Sequence, residues 1–62
     1  MTVYWNVWLP GPQGYGELLG DKHGHFNYRR KSDASQAAKE IAGARLLRNI
    51  KVRQARRFYE AA

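Results

Sequence analysis

Sixty-two residues make one small domain, which buries only ~60% of the surface that its unfolded chain exposes. The absence of cysteine excludes disulfides and thiolate metal sites, and no apolar run is long enough to span a membrane. The formal charge of +6 and a pI near 10.2 are the electrostatic footprint expected of a nucleic-acid binder.

The charge is unevenly placed. Residues 1–28 carry a net −1, whereas residues 29–62 hold ten Lys/Arg against Asp33, Glu40 and Glu60, a net +7. No basic segment followed by an apolar one marks the start, so a complete cytoplasmic gene product is the expectation.

Residues 2–9 alternate strictly and are rich in Val, Trp and Tyr, which predicts a strand. Val3, Trp5, Val7 and Leu9 form an apolar face that belongs to the core. Thr2, Tyr4, Asn6 and Trp8 form the other, which carries two aromatics where a solvated strand carries polar groups. Pro10 ends the strand because it offers no N–H to a ladder.

Residues 10–24 read as a long loop, holding both prolines and five of the six glycines. Glu17, Leu18 and Leu19 form a short strand or a turn within it. The run "GPQGYG" lacks the Gly-Lys-Ser/Thr ending of a phosphate loop. A second strand is expected over 25–31, antiparallel to the first, with Phe26 and Tyr28 on one face and His25, Asn27, Arg29 and Lys31 on the other.

A helix is expected over 33–48. Asp33 suits the N-cap, with Gln36 completing a variant capping box, and Ala dominates the interior. Ala34, Ala37, Ala38, Ile41 and Ala44 share the side that would sit on a sheet, and Asn49 suits the C-cap.

Residues 50–58 admit two readings. Ile50 and Val52 alternate with Lys51 and Arg53 as in a third strand. The alternative is a β-hairpin followed by one long C-terminal helix, Asp33 to Glu60. At ~1.5 Å per residue that helix is too long for a small hairpin to cover and would demand a dimer. The strand reading gives an α+β fold of order ββαβ, a three-stranded antiparallel sheet of order 2-1-3 with the Ala-rich helix on one face.

The face away from the helix then gathers Tyr4, Asn6 and Trp8 with His25, Asn27, Arg29, Lys31, Lys51, Arg53 and Arg57, and Arg30 adjoins it. Cations neutralise phosphates, and flat rings stack on unpaired bases. A small, non-enzymatic nucleic-acid-binding protein, for DNA or RNA, is the leading expectation. The alternative is an accessory protein of the kind phages and mobile elements encode, binding another protein through Tyr4, Trp8 and basic anchors. Thin burial leaves room for a homodimer.

The run Arg29-Arg30-Lys31 opposes the helix dipole, a conflict that a bound phosphate or the Asp33 carboxylate would relieve. His23 and His25 lack a carboxylate at ligand spacing, so neither a metal nor another cofactor is expected. Asp21 with either His could form a base and its orienting group, but no nucleophile accompanies them. Ser32 and Ser35 are explained by the helix start, and the mostly Ala helix face argues against membrane-surface binding.

Overall fold

The alternating segment is the central strand of the sheet. In a computed structural model, which describes residues 2–60, β1 (Tyr4–Pro10) pairs antiparallel with β2 (Gly16–Leu19) on one edge and with β3 (Lys51–Ala55) on the other. A single helix, α1 (Lys31–Arg45), connects β2 to β3 across one face. The chain is therefore an α+β domain of order ββαβ with sheet order 2-1-3.

The second strand is not the segment expected. Gly16–Leu19 forms it, within what reads as loop, while residues 25–31 contribute only one bridge, Tyr28 to Trp5. That bridge is a reciprocal pair, Trp5 N–H to the Tyr28 carbonyl at 2.7 Å and Tyr28 N–H to the Trp5 carbonyl at 2.9 Å. Loop length explains the exchange. A turn over Pro12–Gly14 lets β2 pair with β1 at short sequence separation, and a shorter loop costs less closure entropy. Segment 25–31 is left the stretch of the same β1 edge beyond the end of β2.

The core side of β1 is the one its alternation predicts. Val7, Leu19, Ala37 and Ile41 form the buried cluster, and Leu9, Tyr28, Ala38, Leu47 and Ile50 pack against it. Buried Ala34 extends the same helical stripe. Two assignments differ. Trp5 is only half-buried, with the Lys31 ammonium at the start of α1 5.6 Å from its ring centroid. Ala44 is exposed, since the helix is leaving the sheet there.

Helix α1 starts and stops earlier than its composition suggests. Arg30 is the N-cap residue, in an extended conformation and without a side-chain capping bond. Asp33 sits inside the first turn, where its charge suits the dipole. The C-cap is Leu46 rather than Asn49, in the left-handed region at φ 53 and ψ 42. Stopping there brings Leu47 and Ile50 back onto the core, and Asn49, also left-handed at φ 61, turns the chain into β3. A single long helix from Asp33 to Glu60 does not form.

Leu46 bears the strain of that turn, and it is 88% exposed, so its side chain recovers almost nothing by burial. A left-handed L-residue costs ~1–2 kcal/mol, while glycine adopts the region freely at some cost in chain entropy. Leu46→Gly should therefore stabilise the domain by about 1 kcal/mol, read as a higher urea midpoint.

Candidate nucleic-acid interface

On the face of the sheet turned away from α1, the centre is polar. Asn6 lies mid-strand on this face and is completely buried. The cover comes from two segments outside the sheet. Strand β3 ends at Ala55 rather than 58, and the chain then recrosses this face.

One amide network ties the cover down. Asn6 Nδ2 donates to the Phe26 carbonyl at 2.7 Å and to Asn27 Oδ1 at 3.1 Å. Asn27 Oδ1 also accepts the Tyr59 N–H at 3.0 Å, and Asn27 Nδ2 donates to the Tyr59 carbonyl at 2.8 Å. Asn27 thus clasps the Tyr59 backbone as a neighbouring strand would. Asn6 Oδ1 is buried without a hydrogen-bond partner.

Aromatic pairing completes the cover. Phe58 meets Tyr4 edge-on at 5.4 Å between centroids, and Tyr59 meets Trp8 edge-on at 5.6 Å. Both geometries are the favoured T-shape of aromatic pairs. Tyr4 and Trp8 are therefore half-buried, each paired with a ring of the crossing segment, rather than bare rings on an open sheet. Neither Phe58 nor Tyr59 stands out in sequence, because Phe58 reads as the end of the third strand and Tyr59 falls just past it.

Cations surround the rings. The Arg29 guanidinium lies 5.8 Å from the Tyr4 centroid, and that of Arg57 lies 4.5 Å from the Tyr59 centroid. The β1–β3 register sets Arg53 opposite Asn6 and Lys51 opposite Trp8, which puts both on this face. All four are exposed. Of the ten cations in residues 29–62, only Arg45 makes an ion pair among the described residues, with Glu17 at 3.9 Å.

The carboxylates gather elsewhere. Asp33 and Glu40 belong to α1, Glu17 reaches toward the helix end, and Asp21 lines a hollow beside Glu40 and Ile41. Glu60 alone borders the ring-bearing face, in a hollow with His25, Phe58 and Tyr59. The two sides of the sheet thus differ in charge as well as in cover.

Four expected site residues fall off this face or serve another purpose. Lys31 opens α1 and lies over Trp5, because the chain turns into helix where a strand would have continued alternating. Arg30 is the exposed N-cap residue. Asn27 is on the face, but its amide is spent on the clasp. His25 belongs to a loop instead of a strand.

That loop is organised by Asp21. Its carboxylate accepts the N–H groups of His23 and His25, both at 2.9 Å, and the Tyr28 hydroxyl at 2.9 Å. The His25 ring nitrogen Nδ1 lies 3.6 Å away. Gly24, at φ +80, makes the turn that allows this convergence, and an L-residue there would be strained. Burial alone would raise the Asp21 pKa. The bonds from His25 N–H, Tyr28 OH and His23 N–H, with the charge of His25, outweigh it and hold the pKa below the ordinary 3.8. The Tyr28 phenol moves up from 10.0, through burial first and then through its bond to Asp21 and that carboxylate's charge.

These shifts set the pH limits of the loop. A depressed carboxylate contributes stability that is present above 3.8 and lost as pH falls through its lower folded value. A raised phenol contributes stability that is present below pH 10.0 and lost above it. Asp21→Asn should lower the urea midpoint at neutral pH and flatten its fall at acid pH. An unchanged acid limb would show that Asp21 does not organise the loop.

A cleft of about 300 Å³ opens at one end of the face, between Trp8, Tyr59 and the hairpin turn. Tyr15, from that turn, forms its outer wall, and Arg53 also lines it. Tyr15 is 75% exposed. Its place in a Gly/Pro-rich stretch hides it in the sequence, where only the β1 aromatics attract attention. No family model, curated protein or solved structure matches the chain.

Proposed function

We propose that this chain is a non-enzymatic nucleic-acid-binding module that uses the sheet face opposite α1. One observation carries the reading: Arg29, Lys51, Arg53 and Arg57 share a face with the Tyr4–Phe58 and Trp8–Tyr59 ring pairs, without a carboxylate partner among the described residues. Unpaired cations at fixed positions neutralise phosphates and release counterions, and neighbouring rings give sugars and bases a surface. Placing four of the five carboxylates on the other side of the sheet removes repulsion where a polyanion would lie.

The rival role is an accessory protein that grips another protein through Tyr4, Trp8 and basic anchors. The half-burial of both rings under Phe58 and Tyr59 limits either use alike, so the unpaired cations are what favour nucleic acid. Fluorescence anisotropy with labelled oligonucleotides tests the proposal. Binding is expected at ~50 mM salt and should weaken steeply by ~200 mM. Absence of binding at the lower salt would refute it.

A further inference from the structure

The cleft beside Trp8 narrows the class of nucleic acid. We infer that the ligand is single-stranded, with one unpaired base entering between Tyr15 and Trp8. This rests on the nucleic-acid reading above and goes further by naming the site and the strandedness.

The cleft is built to hold a flat ring. Tyr15 is mounted on a closed turn: its N–H donates to the Pro12 carbonyl at 3.1 Å, and its carbonyl accepts the Gly11 N–H. The backbone is thereby held while the ring projects, 75% exposed. Trp8, which also lines the cleft, is held by the edge of Tyr59 at 5.6 Å. Gly11 and Gly16 also line the cleft, and the tight turn that carries Tyr15 leaves no room for a side chain at Gly11. A Cβ on Gly16 would lie 3.6 Å from the Trp8 ring, and one on Gly11 would come within 2.8 Å of the Tyr15 carbonyl oxygen.

Charge selects among flat or cationic occupants. Aromatic cages also hold ammonium groups. Here Arg53 lines the cleft and, among the described residues, no carboxylate does, so a cation would meet like charge. A nucleobase is neutral and carries a phosphate beside it. Arg53 and Lys51 are neighbours on β3, and Lys51 faces Trp8 across the ladder, so that phosphate would find a counter-charge.

Strandedness follows from access. A base within a duplex has both faces stacked, and exposing one requires unstacking it first. Bases of a single strand present their faces freely, and aromatic side chains accept any of them. An exposed ring set in a cleft suits the second case.

The test compares four labelled probes of about 12 nucleotides, a length within the span of single-strand sites. They are an oligothymidylate, an oligouridylate, an abasic strand with the same phosphates, and a hairpin duplex. Wild-type protein should favour the base-bearing strands over the abasic strand and the duplex. Tyr15→Ala should lower affinity for a base-bearing strand by about 5- to 150-fold and leave the abasic strand unaffected. Tyr15→Phe, which retains the ring, should bind as wild type does. The variant's circular dichroism should be unchanged, since the ring it removes is mostly exposed.

The deoxy and ribo arms separate DNA from RNA as the source of the base, and Tyr15-dependent binding of either supports the inference. Equal binding of abasic and base-bearing strands, preference for the duplex, or displacement by a trimethyllysine peptide would overturn it. Were phosphate-only binding found, with Tyr15 indifferent, the broader proposal would survive and this inference alone would fail. Absence of binding to every probe would overturn both.

Discussion

Replacing Asn27 with alanine should destabilise the domain by ~2–3 kcal/mol and release the segment that crosses the sheet. Three hydrogen bonds depend on this side chain: two to the Tyr59 backbone and one from Asn6. Each contributes ~1 kcal/mol net, and partly buried groups left unpaired cost more. Set against the ~3–9 kcal/mol expected for a domain of this size, the loss is large. Release of Tyr59 would also uncover Trp8, so its fluorescence should shift to the red. Asn27→Asp keeps the acceptor oxygen but turns the donor to the Tyr59 carbonyl into a second acceptor facing it, so the midpoint should fall here too. A urea midpoint unchanged in Asn27→Ala would show that the crossing segment is held by its rings alone.

The largest effect on the salt dependence of binding is expected from the double variant Lys51→Ala/Arg53→Ala. Both side chains are exposed on β3, and alanine in an exposed strand costs at most ~1 kcal/mol, so the fold should survive. If Arg29, Lys51, Arg53 and Arg57 each neutralise one phosphate of a single strand, log affinity should fall against log salt with a slope of ~2.8. Removing two of the four should bring the slope to ~1.4 and cost at least ~10-fold in affinity at low salt. Lys39→Ala, on α1 and away from this face, should leave the slope unaltered. A slope equally sensitive to Lys39 and to the β3 pair would mean that phosphates are drawn by net charge without a defined face.

Some of this architecture is plain from residue order. Strict alternation over Val3 to Leu9 assigns the two faces of β1 correctly, because the period-two pattern is long enough to be unambiguous. The helix is legible from its alanines, and Ala34, Ala37 and Ile41 mark its buried stripe. The second strand is not legible. Gly16–Leu19 has only four residues inside a Gly/Pro-rich stretch, whereas residues 25–31 show clean alternation for another reason. There Tyr28 packs on the core and Asn27 clasps the C-terminal segment, while Asp21 and Gly24 bend the chain out of the ladder.

The functional face is half legible for a related reason. Period-two reasoning places Tyr4, Trp8, Lys51 and Arg53 together, since all four are strand positions. It does not bring Phe58 or Tyr59 to the face, and it reaches Arg57 only by running β3 on to residue 58; all three come there after the strand has ended. Asn6 is the one sequence clue to them. A polar residue in the middle of a central strand needs partners, and those partners had to come from outside the sheet.

The two tryptophans offer the most direct measurement, because they sit on opposite faces of one strand. Trp8 borders the proposed interface, and Trp5 lies beside Lys31 on the helix side. In a ¹⁵N-labelled sample titrated with a short single-stranded oligonucleotide, the indole N–H of Trp8 and the amides of Lys51 and Arg53 should move together. The Trp5 indole and the amides of α1 should stay where they are. Movement of Trp5 and α1 with Trp8 unmoved would contradict the account, and would place binding on the helix side of the sheet.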